Sequence, residues 1–125
     1  LNIPEVLNYY GYTLLNLNRS AGDAEKGLAL AVRALELMKP DDPKSAVLDS
    51  KAWGLYRLGR YEEALATILL IKDERFLEDD EYLEHLGSIQ AALGKKAEAT
   101  KTFRRLLKVS PKHPAALEYL KGKRK

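Results

Sequence analysis

The dipeptide Leu58-Gly59 returns as Leu93-Gly94 thirty-five positions later. The segments that follow also match, Tyr61-Glu62-Glu63-Ala64 against Lys96-Ala97-Glu98-Ala99. A period of this length holds two helices and a turn, so it restricts the chain to stacked helical hairpins, each burying its apolar face against its neighbours.

The residues between the matches agree. Leu83, Leu86, Ile89 and Leu93 recur at three and four residues, as do Phe103, Leu106, Leu107 and Val109. This is helical spacing, and no useful stretch alternates apolar and polar residues as a strand would. Breakers fall between the runs at Gly22-Asp23, Pro40 to Pro43, Gly59-Arg60, Gly94-Lys95, Pro111 and Pro114. The pattern predicts seven helices, near 4–18, 23–38, 44–58, 61–74, 79–93, 96–109 and 113–121. Asp23 suits an N-cap, because its carboxylate can accept from first-turn amides. Pro4 and Pro114 suit first turns, where a missing amide costs little. Gly59 and Gly94 suit helix ends that need a left-handed residue.

Small residues recur in register. Gly11, Ala52 and Gly87 lie in the first helix of each pair, and Gly27, Ala64 and Ala99 in the second. Facing small residues let antiparallel helices approach closely. The third unit, with Leu83-x-x-Leu86-Gly87, Gly94, Ala99-x-x-x-Phe103 and Pro111, resembles the tetratricopeptide repeat (TPR) family. The second unit carries Leu48, Ala52, Leu55, Gly59, Tyr61, Ala64 and Ile68, and the first carries Leu7-x-x-Tyr10-Gly11, Leu14, Gly27, Ala31, Ala34 and Pro40. The resemblance implies an all-α fold, a right-handed α-solenoid of three repeats near 4–40, 44–76 and 79–111. A C-terminal helix near 113–121 would cap it, making residues 1–125 a single domain. Gly11 to Leu14 and the run Val47 to Ala64 resemble the later repeats of long bacterial TPR proteins, several of them exported lipoproteins. A start at Leu1 without methionine reads as a fragment or processed product.

The chain departs from the family pattern in places. Extra residues at Asn18–Gly22 imply a longer first turn. The second unit lacks its closing proline, and an acidic stretch from Asp73 to Glu84 takes that place. Lys51 stands where the family has a large apolar residue, so its stem covers the apolar seam, or its ammonium pairs with an acid such as Glu84.

Several functions are excluded or disfavoured. Without cysteine there is no disulfide framework or thiolate metal site. The longest apolar run, Ala64 to Ile71, is too short to span a bilayer. No phosphate loop, dinucleotide fingerprint, nucleophile elbow or paired-histidine zinc motif occurs, so neither an enzyme nor a cofactor is expected. Glu81 and His85, four apart, read as a solvated acid–histidine pair.

What remains is binding. The resemblance places the concave face of the array on the first helices. Its candidate partner-binding groove is Asn8, Tyr9, Tyr12 and Asn16, then Asp49, Trp53, Tyr56 and Arg57, then Glu84 and His85. Asp49, Trp53, Tyr56 and Arg57 share one helix face by spacing alone. Aromatics bury much area at low entropy cost, and amides can bond an extended backbone. With the leucines filling the seams, the aromatics read as surplus to the core and hence as a protein or peptide site. In the competing reading Trp53 and Tyr12 pack between repeats. Chaperone-binding TPR domains hold a C-terminal carboxylate with lysines. The matching positions here, Asn8, Tyr12, Ser50, Glu81 and His85, contain none, so that clamp is absent.

Charge supplies the alternative. Net charge is +3, yet residues 1–94 sum to −6 and residues 95–125 to +9. The basic end could bind nucleic acid or an anionic surface. Stacking aromatics are sparse there, so nucleic acid is the less favoured partner, and a solvated basic helix face explains the residues without a ligand. Opposite charges could also draw two copies together.

Overall fold

The computed structural model describes residues 2–17 and 19–123, the last of these by its backbone alone. Asn18 of the expected long turn, and Arg124 and Lys125 of the basic tail, lie outside the described residues. Among those described there are seven α-helices and one turn of 3-10 helix, with no strand. They are α1 (Ile3–Leu17), α2 (Ala21–Leu37), α3 (Ser45–Arg57), α4 (Tyr61–Ile68), α5 (Asp80–Ala92), α6 (Lys96–Val109) and α7 (Pro114–Lys123), the 3-10 turn at Phe76–Glu78 preceding α5. The chain divides into two units, Leu1–Ile71 and Lys72–Lys125.

In the first unit α1 packs on α2, α2 on α3 and α3 on α4, with α1 also beside α3. In the second, α5 packs on α6 and α6 on α7. The small residues explain the pairing. A β-carbon on Gly11 would lie 2.9 Å from the Gly27 carbonyl oxygen, and one on Gly27 would lie 2.7 Å from Leu15 Cγ. A β-carbon on Gly87 would strike the Phe103 ring at 2.8 Å. Leu15, Ala31, Ala34, Ala52, Ala64 and Ile68 are buried in the first unit, and Leu83, Ile89, Ala99, Phe103 and Leu106 in the second.

The repeated Leu-Gly dipeptides form the same turn. Gly59 and Gly94 have φ of 78° and 75°. Behind each, two amides fold back onto the last helical turn, Gly59 N to Tyr56 O and Arg60 N to Leu55 O, Gly94 N to Ala91 O and Lys95 N to Gln90 O. This left-handed closure satisfies carbonyls that the helix end would otherwise leave bare.

Three boundaries differ from expectation. α2 starts at Ala21 because Ser20, not Asp23, is its N-cap, the Ser20 hydroxyl accepting from Asp23 N at 3.4 Å. Ala21 and Gly22, expected in the long first turn, therefore lie inside the helix. Asp23 instead holds Arg19 at 2.8 Å. α4 ends at Ile68 rather than near 74. Thr67 turns its hydroxyl back to Glu63 O, and Leu70 N and Ile71 N close tighter three-residue bonds. Beyond them Asp73 accepts from Arg75 N, a local turn that competes with helix. No helix among the described residues is long and apolar enough to cross a membrane.

Candidate functional site

In the first unit α1 and α3 lie side by side, and eight of the ten sequence-selected residues sit on them. They do not form one exposed surface. Trp53 is only 5% exposed and belongs to a cluster with Leu15 and Ala24, against which Tyr12, Tyr56 and Leu58 pack. The expectation that the tryptophan is surplus to the core is corrected, because its face of α3 meets the first hairpin rather than solvent. Asp49 is also buried. Leu15, between Tyr12 and Asn16 on α1, is core.

Upon this floor lies a more open layer. The Tyr56 ring stacks on Trp53 with centroids 4.6 Å apart and planes 6° apart. The Arg57 guanidinium covers Trp53 at 4.8 Å from the ring centre. Tyr61, at the start of α4, leans on Tyr56 at 5.5 Å. Spacing within α3 did not bring Tyr61 into the site, because the Gly59 turn returns the chain to it from the next helix. Tyr56 and Arg57 are half-buried, as are Asn8 and Tyr12, while Asn16 and Tyr9 are exposed, Tyr9 by 73%. Asn8 Oδ1 and Arg57 Nε have no hydrogen-bond partner. Such buried vacancies are uncommon and mark unused bonding capacity.

In the second unit Glu84 and His85 point to different neighbours. Glu84 lies 3.2 Å from His113 Nε2, the histidine before α7. His85 is 3% exposed, so it is not part of a solvated pair. Lys51 is half-buried on α3 and adds to the pull that lowers the Glu63 carboxyl, which is held down first by its hydrogen bond from Arg60. In the basic end, Lys101, Arg104, Arg105 and Lys108 are exposed on α6. The aromatics there are engaged, Tyr119 lying 4.7 Å from Phe103.

The paired helices, the two left-handed glycine turns and the Gly87–Phe103 seam are the features of one repeat used more than once. Residues 80–113 match the tetratricopeptide repeat profile. This chain carries the tetratricopeptide repeat fold. Solved TPR structures superpose over nearly all of it. The first TPR domain of human RPAP3, solved by NMR, is 17% identical, with a TM-score of 0.76 over 96% of this chain and 88% of its own. The first TPR of Spaghetti (RPAP3), bound to the HSP90 peptide SRMEEVD, is 18% identical, with a TM-score of 0.72 over 96% and 89%. The second TPR domain of human RPAP3, in complex with the HSP70 peptide SGPTIEEVD, is 20% identical, with a TM-score of 0.69 over 98% of both chains. Comparison with curated proteins gives no match. At these identities the TPR likeness is one of fold.

Proposed function

We propose that this TPR chain is a non-catalytic scaffold that captures a peptide or a segment of a partner protein. In this reading residues 1–125 serve as one domain of three repeats and a capping helix. The observation that carries it is that two solved TPR domains of this fold hold peptides. The exposed and half-exposed row Asn8, Tyr9, Tyr12, Asn16, Tyr56 and Arg57 supports a seat on α1 and α3, with Trp53 as its buried floor. Asp49, buried on α3, shares the helix face of Trp53. The peptides in those solved structures end in Glu-Glu-Val-Asp. Here Asn8, Tyr12 and Ser50 occupy the matching positions of the first unit without a lysine, so an apolar or basic segment suits the seat better than an acidic tail.

A random peptide library panned against the full chain tests this. The expected pool includes apolar or basic peptides, and Tyr9→Ala with Asn16→Ala abolishes the capture of these while the thermal melt stays in place. Both side chains are exposed, so a variant that folds and still captures the same peptides refutes the seat.

A further inference from the structure

Three arginines elsewhere in the molecule keep an acid close at hand. Arg19 holds Asp23, Arg33 lies by Glu36 and Arg60 holds Glu63, each within 4.0 Å and one helical turn. α6 carries a different arrangement. Lys101, Arg104, Arg105 and Lys108 fall at i, i+3, i+4 and i+7 and so share one face. Among the described residues none of the four has a carboxylate within ion-pair distance, and the nearest acid along the helix, Glu98, lies by Lys95 instead. Four like charges on one stripe repel each other. A cleft of about 320 Å³ opens against this stripe, lined by Glu78, Leu83, Arg105, Lys108 and Val109. Arg105 Nη2 donates to the Leu77 carbonyl at 3.2 Å, which fixes its guanidinium at the rim. Leu83 and Val109 give the cleft an apolar wall, Val109 being half exposed.

We infer that the α6 stripe and its cleft are a second docking site, for an acidic peptide segment carrying an aliphatic side chain between its acids. The aliphatic group fills the cleft against Leu83 and Val109. Its flanking carboxylates meet Arg104, Arg105 and Lys108, where bidentate arginine contacts add direction to charge. Nucleic acid fits less well, because stacking needs an open aromatic and Phe103 is buried. An anionic membrane needs a broad apolar face beside its cations, and Val109 alone supplies one here. Glu78 is the one carboxylate on the lining, and it opposes an acidic guest.

The test pans a random peptide library against the full chain and measures labelled members of the enriched pool by fluorescence anisotropy. A pool of acidic, aliphatic-centred peptides is expected. Arg104→Gln with Lys108→Gln, which spares the Arg105–Leu77 bond, weakens them about tenfold or more. Glu78→Gln tightens them. Tyr9→Ala with Asn16→Ala leaves them unchanged, which separates this site from the α1–α3 seat. The inference is overturned by the absence of an acidic pool, by indifference of that pool to the α6 variant, or by weakening with Glu78→Gln. Tighter binding of oligodeoxythymidine, or of phosphatidylcholine vesicles containing phosphatidylserine, also overturns it.

Discussion

Two glycines show how one residue type meets two demands. Gly59 has open space around it but a φ of 78°, so its need is conformational. Gly59→Ala should cost about 1–2 kcal/mol through backbone strain alone. Gly87 has ordinary helical backbone but the Phe103 ring against it. Gly87→Leu should cost about 1–3 kcal/mol by overpacking. Pairing it with Phe103→Ala should recover part of that loss, because the second change removes the clash but opens space elsewhere. Denaturant melts of the variants separate the two mechanisms. Trp53 and Tyr9 form a second contrast. Trp53→Ala should remove about 3–5 kcal/mol, the scale for a large buried aromatic. Tyr9→Ala should leave the melt nearly unchanged. Helical spacing could place Trp53 on a face, but not reveal what that face meets. Burial depends on a neighbour two helices away, and the sequence offered both readings without a residue to choose between them.

At the scale of elements, most helices were legible because apolar spacing, proline and glycine agree locally. The errors arose where two local signals compete. Ser20 and Asp23 are both good caps three residues apart, and the helix begins at the earlier one. The apolar run through Ile71 looks helical, yet Thr67 and Asp73 offer their own hydrogen bonds to the backbone. The caps differ in strength. Asp79 accepts from Glu81 N at 2.9 Å and Tyr82 N at 3.3 Å, while Ser20 has one contact at 3.4 Å. Asp79→Ala should therefore destabilise more than Ser20→Ala, each near the usual 1 kcal/mol. Arg19 lowers the Asp23 carboxyl and Arg60 lowers that of Glu63, in both cases chiefly through a hydrogen bond. A depressed folded value means the contribution is whole above the ordinary values of 3.8 and 4.5 and is lost as pH falls through the lowered ones. In Arg60→Gln the Glu63 carboxyl should titrate closer to 4.5, as NMR would read directly.

For the whole molecule, the repeat was readable because a period survives even where single residues diverge. The division into two units was not, because no glycine or proline cluster marks residue 71. The boundary arises where α4 stops early and the acidic stretch takes over. Lys72 and Arg75 are exposed there and outside any helix. Trypsin should nick first at one of them, leaving two fragments whose masses identify the site. Cleavage first within α6, which is richer in basic residues than that stretch, would show that the boundary is protected.

The adjacency of helices within each unit also bears on how quickly the chain reaches its native state. Each helix finds its principal partner next to it along the chain, α1 with α2, α3 with α4, α5 with α6. Contacts of short sequence separation require little loop closure before they begin to stabilise. Any hairpin can then serve as the nucleus, and the remaining helices add to it one after another. Such a chain folds on the fast side for its size, and damage to one hairpin slows that step without halting the rest.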